Sequence, residues 1–415
     1  MTDEKVSPLA PEAFPDLPAV PGVELASMAA GLRYQRRADL MLATFPHSAT
    51  VAGVFTKSRC ASAPVDWCRN ILPSGNARAL VCNAGNANAF TGGSGETATR
   101  ATAETIARVL DIAPEEVYLA STGVIGESLP IEALTGSLPE LAAARTPAAD
   151  AAWLGAANAI RTTDTFPKGA GKTASINGTT VAIGGIAKGS GMIAPDMATM
   201  LAFVFTDAAL PVSVLQPLLA ASVTRSFNRI TVDSDTSTSD TVLLFATGAT
   251  PVGGEISDPD SPALEAFRQA LDEVTLDLAH QIVRDGEGAT KFVSVTVKGA
   301  EDEGAASRIA LAIGNSPLVK TMLAAEDANW GRLVMAVGKA GEAADRDRLA
   351  IWIGEEQAAE RGQMRAGYDE ARATEFLKAP EVSLSVDVGV GSGEATIWTC
   401  DLTHGYIDIN AGYRS

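Results

Sequence analysis

The sequence predicts an α/β protein in which strands and helices alternate along the chain. Short apolar runs with polar boundaries are typical of strands, and apolar residues three or four positions apart are typical of amphipathic helices. The runs at 40–45 and 50–55 predict two early strands, and residues 97–110 predict a helix. With 415 residues, 46% of them hydrophobic and 20% charged, the chain is long and apolar enough for two folded domains.

The remaining elements follow after a proline-rich lead over residues 1–22, which is expected to be irregular. The Asn177-Gly178 pair between two apolar runs predicts a two-residue β-hairpin turn. The strand at 291–299 is expected to begin a second α/β domain that continues to residue 415. Further strands are expected at 117–120, 172–176, 179–183, 200–205, 241–246, 347–353, 381–389 and 394–400, and further helices at 131–143, 148–160, 212–227, 264–282, 302–313, 316–325 and 369–378.

Charge and cysteine content exclude several classes of function. The net charge is −18 without a basic block, which argues against nucleic acid and anionic membranes as partners. The N-terminus lacks an apolar signal segment, and no uncharged apolar run reaches the ~18 residues of a membrane span. Four cysteines without a CxxC pair and three histidines give no zinc spacing, so we expect free thiols in a reducing cytoplasm. Asp233 and Asp235 do not form a calcium loop, because Thr238 replaces the required glycine.

One stretch, KGSGMIAPDMATML at 188–201, joins a glycine-rich loop to an apolar strand. This order places Thr199 at the mouth of a core strand, with flexible backbone on its upstream side. A threonine hydroxyl is a weak nucleophile, but a threonine at a chain N-terminus has its own α-amine as a base. The stretch therefore fits self-cleavage between Ala198 and Thr199, and it also fits an ordinary glycine-rich loop before a strand.

Other polar segments offer the remaining groups of an acyl-transfer site. The Thr122-Gly123 pair ends a short strand, where a hydroxyl and an open backbone N–H can hold a developing oxyanion. Lys188 is the cation of the central loop, where it suits a substrate carboxylate or lowers the pKa of a nearby amine. Glu287 lies between two glycines, so its carboxylate can approach a ligand closely. Each segment also fits an ordinary turn or a solvated loop.

These segments occur together, and in order, in one enzyme family. MIAPDMATML resembles the cleavage-site sequence of the ornithine acetyltransferases, also called glutamate N-acetyltransferases, of the arginine pathway, although Asp196 stands where that family usually has asparagine. The resemblance spans nearly the whole chain after about residue 25. Further matching segments are STGVIG at 121–126, RTTDTFPK at 161–168, SFNRITVDSDTSTSDT at 226–241, DGEGATK at 285–291 and YIDINAGYRS at 406–415.

The resemblance implies a role for each site residue. Thr199 would be the nucleophile that cleavage at Ala198–Thr199 releases, and Thr122 with Gly123 would form the oxyanion hole. Of two neighbouring threonines we choose Thr162 over Thr163 as the substrate contact. The last residue is serine where the family has threonine, which keeps the hydroxyl. The implied substrate-binding residues are Thr162, Lys188, Thr199, Glu287, Asn410 and Ser415.

The resemblance also implies a reaction and an assembly. The acetyl group of N2-acetyl-L-ornithine would pass to L-glutamate through an acetyl-threonine intermediate, with release of L-ornithine and without a metal or cofactor. Acetyl-CoA is a second donor in some members, and both modes stay open here. The precursor would be cut into an α chain, 1–198, and a β chain, 199–415, which form a cytoplasmic heterotetramer with two copies of each chain.

The implied fold is a layered sandwich with β-sheets packed between helices, similar in layering to N-terminal-nucleophile hydrolases such as the aminopeptidase DmpA. Residues 199–290 would complete the main sandwich together with the α chain. Three other functions remain open. They are an N-terminal-nucleophile aminopeptidase or amidase that transfers to water, a β-lactam-pathway paralogue with a different acetyl donor, and an amino-acid-binding protein that is neither cleaved nor acylated.

Overall fold

The computed structural model describes residues 6–34, 37–194, 200–254 and 256–412. Within these ranges it is an α/β structure whose sheets pack against helices, which confirms the predicted fold class. The larger sheet in the described residues consists of β1 (Glu24–Met28), β2 (Leu40–Phe55), β3 (Asn76–Asn86), β4 (Val117–Val124), β5 (Thr146–Pro147), β6 (Lys168–Ile176), β7 (Thr179–Lys188), β8 (Leu201–Ala208) and β9 (Thr241–Thr250).

The strand order of this sheet is β4-β3-β2-β9-β8-β7-β6, and β1 pairs with β2 and with β5. The pairs β3–β4 and β8–β9 are parallel, while the other neighbours are antiparallel. Two strands that follow residue 199 in sequence, β8 and β9, therefore lie between two that precede it, β7 and β2. Both halves of the chain contribute to one hydrogen-bonded sheet.

Helices cover both faces of the larger sheet. Strand β8 is buried at every position, as expected for a central strand with both faces covered. Phe203 and Phe205 lie in the aromatic core on one face, and Ala202 and Val204 lie in the core on the other. The helices packed around this sheet are α1 (Ala63–Ile71), α2 (Gly92–Leu110), α3 (Ile131–Ala143), α4 (Asp150–Ala159), α5 (Val212–Arg225) and α6 (Glu265–Arg284).

A second sheet with its own apolar core follows α6. Its strands are β10 (Phe292–Ala300), β11 (Ala350–Ile353), β12 (Glu356–Glu360), β13 (Gln363–Met364), β14 (Glu381–Asp387) and β15 (Gly393–Cys400), in the order β13-β12-β11-β14-β10-β15. The helices of this part are α7 (Glu303–Gly314), α8 (Pro317–Ala324), α9 (Gly331–Gly338) and α10 (Glu370–Lys378), and α11 (His404–Ala411) comes last.

Some elements differ from their sequence prediction. The two strands expected at 40–45 and 50–55 form the single strand β2, because the Pro46 region continues the pairing with a register shift between Thr44 and Ala49. Strands β14 and β15 follow each other in the chain but are not hydrogen-bonded to each other, because β10 lies between them. The described part of the lead, residues 6–22, is irregular as predicted, but it packs on the body, with Leu17 buried and the Trp153 indole donating to the Pro18 carbonyl.

The hairpin between β6 and β7 is confirmed. Asn177 and Gly178 have φ angles of 50° and 81°, so both residues are left-handed, as a two-residue type I′ turn requires. The turn sets the register in which Lys168 pairs with Ala187. The hairpin therefore brings Lys168, at the start of β6, next to Lys188, at the end of β7.

Candidate active site

A cavity of about 560 Å³ opens where several elements of the larger sheet end. The end of β4, the end of β7, the segment before β9, the turn after α6 and helix α11 all contribute to its wall. Its lining includes six residues that the sequence analysis selected: Thr122, Gly123, Thr162, Lys188, Glu287 and Asn410.

The three other selected residues, Ala198, Thr199 and Ser415, lie outside the residues that the structure describes. The nearest described residue to the predicted cleavage point is Met200, which is buried and precedes β8. Its backbone amide donates to the Asp240 carboxylate at 3.1 Å, and its carbonyl accepts from the Thr241 amide. Met200, the first residue after the predicted nucleophile, is thus held where the central strand β8 begins.

Thr122 and Gly123 lie side by side at the end of β4, where the parallel strand β3 runs closest to them. Gly123 has a φ of 131°, and a β-carbon there would overlap the backbone of Gly85 and Asn86. Glycine is therefore required by both conformation and close approach. Thr122 is buried, and both residues line the cavity, while their role as an oxyanion hole stays a prediction.

Lys188 is the only basic residue among the described residues that line the cavity. It is almost completely buried, and its Nζ lies 4.0 Å from the Asp164 carboxylate. Burial lowers the pKa of Lys188 below its usual value, and the neighbouring Asp164 opposes that shift. The side chain is thus a buried amine with one carboxylate at ion-pair distance, and it can donate to a ligand carboxylate.

A buried ionic cluster lies behind Lys188. The Lys168 ammonium donates to Asp164 at 2.7 Å and to Asp285 at 2.6 Å, and all three side chains have no exposed surface. Burial by itself would raise the pKa of Asp164, but Lys168 and then Lys188 outweigh it, so this pKa is held well below its usual range. Asp164 also accepts from the backbone amide of Gly189 at 2.6 Å.

The cluster fixes three segments of the cavity wall relative to one another. Asp164 binds the Thr162 amide at 2.9 Å, and Asp285 binds the Thr165 amide at 2.9 Å. Neither these two acids nor Lys168 was among the site residues predicted from the sequence. Asp164 and Lys168 are four residues apart in RTTDTFPK, which hinted at a pair, but Asp285 is 117 residues away from Lys168 in sequence.

Glu287 projects into the cavity from the turn after α6. Its amide donates to the Ser190 carbonyl at 2.9 Å, and its carboxylate accepts from the Asn410 side-chain amide at 2.6 Å. Burial raises the pKa of Glu287, and hydrogen bonds from Asn410 and Thr163 oppose this. Asn410 therefore orients the Glu287 carboxylate, and the C-terminal helix α11 forms this side of the cavity.

Thr162 and Thr163 both line the cavity, and the geometry distinguishes them. The Thr163 hydroxyl forms a hydrogen bond of 2.6 Å with the Ser190 hydroxyl, whereas the backbone amide of Thr162 donates to the Asp164 carboxylate. The Thr163 hydroxyl therefore belongs to the contact between the central loop and this segment. The choice of Thr162 as the substrate contact stays a prediction.

Asp233 is a further lining residue, one that the sequence analysis considered only as a calcium ligand and rejected. Its carboxylate accepts from the amides of Met192 at 2.6 Å and Ile193 at 2.8 Å, and from the Tyr406 hydroxyl at 3.2 Å. Burial raises its pKa, and the Met192 and Ile193 amides oppose that shift. Asp233 therefore holds the loop upstream of the predicted cleavage point and anchors α11. The dense acids and hydroxyls of DSDTSTSD, residues 233–240, are the sequence feature that could have indicated this part of the wall.

The wall combines acids, hydroxyls and one ammonium, which is the composition expected for an amino-acid ligand. Glu287, Asp233 and Asp235 offer acceptors to an amino group, and Lys188 offers a donor to a carboxylate. No group of His, Cys, Asp and Glu that could hold a metal ion occurs among the described residues. In the same part of the chain, no helix has the length and apolar character needed to cross a bilayer.

Comparison with known proteins identifies the family. The ArgJ family model matches residues 24–415. The arginine biosynthesis bifunctional protein ArgJ of Rhizobium meliloti (strain 1021) is 57% identical over 412 residues, which are 99% of each chain. Among solved structures, ArgJ from Bacillus halodurans is 42% identical with a TM-score of 0.48 and covers 50% of this chain and 96% of its own. Ornithine acetyltransferase from Mycobacterium tuberculosis, complexed with ornithine, is 32% identical with a TM-score of 0.38 and covers 43% and 94%. Because the family model and the Rhizobium relative both match almost the entire chain, the protein belongs to the ArgJ family.

Proposed function

We propose that the protein is an acetyltransferase of arginine biosynthesis that moves the acetyl group of N-acetyl-L-ornithine to L-glutamate. Its Rhizobium relative is a bifunctional protein of arginine biosynthesis. One observation supports the proposal: segments far apart in sequence bring a threonine–glycine pair, a buried lysine and three carboxylates to one cavity. Donor and acceptor are both amino-acid derivatives, so the same charged wall serves both.

In the proposed cycle, Thr199 Oγ attacks the acetyl carbonyl carbon of the donor. The amide C–N bond breaks, ornithine leaves with its amine protonated, and the acetyl group stays on Thr199 as an ester. The amine of glutamate then attacks the ester carbon and restores the threonine hydroxyl. No atom changes its oxidation state in this cycle, so it needs no redox cofactor, and we propose that it proceeds without a metal. This covalent relay predicts ping-pong kinetics.

The described residues support the electrostatic demands of this cycle. The Thr122 hydroxyl and the Gly123 amide would stabilise the oxyanion of each tetrahedral intermediate, where preorganised donors have their largest effect. Lys188 would pair with the substrate α-carboxylate. Glu287, oriented by Asn410, would bind the ornithine side-chain ammonium or hold the proton network around it.

The proposal extends to processing and assembly. The precursor cuts itself between Ala198 and Thr199, which frees the threonine α-amine as a base. The two chains stay together and pair as a cytoplasmic heterotetramer with two copies of each. Acetyl-CoA is proposed as a second donor to glutamate, since the Rhizobium relative is named bifunctional.

The direct test is product analysis with purified protein. With N-acetyl-L-ornithine and L-glutamate we expect ornithine and N-acetylglutamate in equal amounts, and without glutamate we expect little more ornithine than one equivalent per active site. A second reaction with acetyl-CoA and glutamate measures the other donor. Steady release of acetate at a rate independent of glutamate would contradict the proposal and favour an amidase.

A further inference from the structure

Asp164 is a buried acid that the proposed cycle does not use. It is not among the residues that line the cavity, yet its carboxylate contacts the cavity wall from behind. Oδ1 accepts from the Gly189 amide at 2.6 Å, while Oδ2 accepts from the Thr162 amide at 2.9 Å and lies 4.0 Å from Lys188 Nζ. Thr162 and Lys188 are both lining residues. A carboxylate outside the cavity is therefore in contact with two residues that line it.

The charge of Lys188 depends on Asp164 more than on any other neighbour. Among the described residues, Asp164 has the only carboxylate within 4.0 Å of Lys188 Nζ, and Nζ forms no hydrogen bond to a described residue. Burial lowers the pKa of Lys188, and the negative charge of Asp164 is the largest influence that opposes this shift. The donors of Nζ are thus left for a ligand, while Asp164 favours the charged form of the side chain.

Several other charged or titratable groups face Lys188, and they come from different elements. They are Lys168 on β6, Cys82 on β3, Glu287 in the turn after α6 and Asp240 before β9. The positive charge of Lys168 acts in the same direction as burial and lowers the pKa of Lys188. Asp164 therefore offsets both burial and a neighbouring cation.

Asp285 provides an internal comparison, because it belongs to the same buried cluster. It accepts from Lys168 Nζ at 2.6 Å and from the Thr165 amide at 2.9 Å. Like Asp164 it has no exposed surface and is paired with Lys168, but it forms no ion pair with Lys188. Loss of either acid should disturb the cluster, whereas only loss of Asp164 removes the partner of Lys188.

We propose that Asp164 is a positioning residue that determines the preference of the protein for donors with an α-carboxylate, an inference that rests on the proposed function. Asp164 holds Lys188 in place as an ammonium, and the ammonium pairs with the donor carboxylate. Asp164 itself lies outside the cavity, so it acts through Lys188. Its loss should weaken recognition of the carboxylate far more than it weakens the transfer of the acetyl group.

The test compares two acetyl donors that differ only in the α-carboxylate, namely N-acetyl-L-ornithine and N-acetyl-1,4-diaminobutane. Without glutamate, the mass of the 199–415 fragment reports how fast each donor acetylates the protein. The readout is the ratio of the two second-order rate constants. Wild-type protein should favour the donor with the carboxylate, and Asp164→Asn should lower the ratio by about 10-fold or more, because a charge-assisted hydrogen bond is weakened.

Three further variants separate recognition of the carboxylate from damage to the cluster. Asp285→Asn is the matched control and should lose stability but keep the wild-type ratio. Lys188→Met should lower the ratio as Asp164→Asn does, and the double variant should lower it no further, because the two residues act as one unit. Asp164→Glu keeps the negative charge and should restore part of the ratio.

The outcomes separate this inference from the proposed function. A wild-type protein that neither donor acetylates would contradict the proposed function itself. Equal ratios in the wild type and in Asp164→Asn, or an equal loss of the ratio in Asp285→Asn, would overturn only the role of Asp164.

The pH dependence of the wild-type ratio is a second test that needs no variant. Lysine is cationic below its pKa, so the ratio should be retained at low pH and should fall as pH rises through the pKa of Lys188. The second amine is common to both donors, and its titration cancels in the ratio. A ratio that stays constant between about pH 6 and about pH 10, a range that spans a lowered lysine pKa, would overturn the inference.

Discussion

Gly123 shows how strongly single residues of the cavity are constrained by their neighbours. Its left-handed φ and its contact with the backbone of Gly85 leave no room for a side chain. Thr122, the preceding residue, is buried, and both residues line the cavity. In the proposed oxyanion hole, donors that are fixed before substrate arrives would stabilise the oxyanion without reorganisation.

Removing one of these donors tests the oxyanion role. Thr122→Ala should slow acetyl transfer by about 10- to 1000-fold with folding intact, because it removes one hydrogen bond to the oxyanion of the transition state. The measurement is kcat together with the thermal unfolding midpoint. Thr236→Ala, which removes another hydroxyl from the cavity wall, is the matched control and should change kcat far less. Unchanged turnover in Thr122→Ala would refute the role.

At the scale of elements, the ionic cluster around Lys168 joins the segment before β6, the end of β7 and the turn after α6. Lys168 is shared by Asp164 and Asp285, and Asp164 also binds the Gly189 amide. Each of these segments contributes a residue to the cavity. The cluster therefore determines how Lys188 and Glu287 are placed relative to each other.

Breaking the cluster should cost far more stability than breaking a surface pair. Lys168→Met leaves two buried carboxylates without their cation, so we expect a loss of about 3–5 kcal/mol in the free energy of unfolding. The control is Lys172→Met on the same strand, whose pair with Glu273 is half-exposed, so we expect a loss of about 0–1 kcal/mol. Urea denaturation measures the free energy of unfolding of both variants. Equal losses for Lys168→Met and Lys172→Met would contradict a larger contribution from the buried cluster.

Most helices and strands were predictable, because the spacing of apolar residues that indicates them depends only on neighbouring sequence. The hairpin at Asn177 and the helix Ile131–Ala143 follow from such patterns. Pairing over long distances does not, so the position of β10 between β14 and β15 was not predictable. The single strand β2 was missed for a related reason, since neighbouring strands continue the pairing past its proline and histidine.

The candidate site was predictable where a residue belongs to a recognisable segment. Thr122, Lys188 and Glu287 were selected in this way, and they line one cavity. Lys168 and Asp285 were not selected, because their importance depends on burial and on partners that only the folded chain brings near. Their role in positioning the cavity wall comes from packing rather than from sequence motifs.

At the scale of the whole molecule, the larger sheet contains strands from both sides of the predicted cleavage point. Strands β8 and β9 are hydrogen-bonded to β7 on one edge and to β2 on the other. Two chains produced by a cut after residue 198 could separate only by breaking this sheet. A cut can therefore change the chemistry at residue 199 while the fold is retained.

The most direct measurement is the intact mass of purified wild-type protein and of Thr199→Ala, each before and after incubation with N-acetyl-L-ornithine without glutamate. We expect two co-purifying wild-type fragments that meet at Ala198–Thr199, and a 199–415 fragment that gains the mass of one acetyl group. For Thr199→Ala we expect one uncut and unacetylated chain. A single uncut chain for the wild type would mean that Thr199 has no free α-amine, and the threonine mechanism would be wrong.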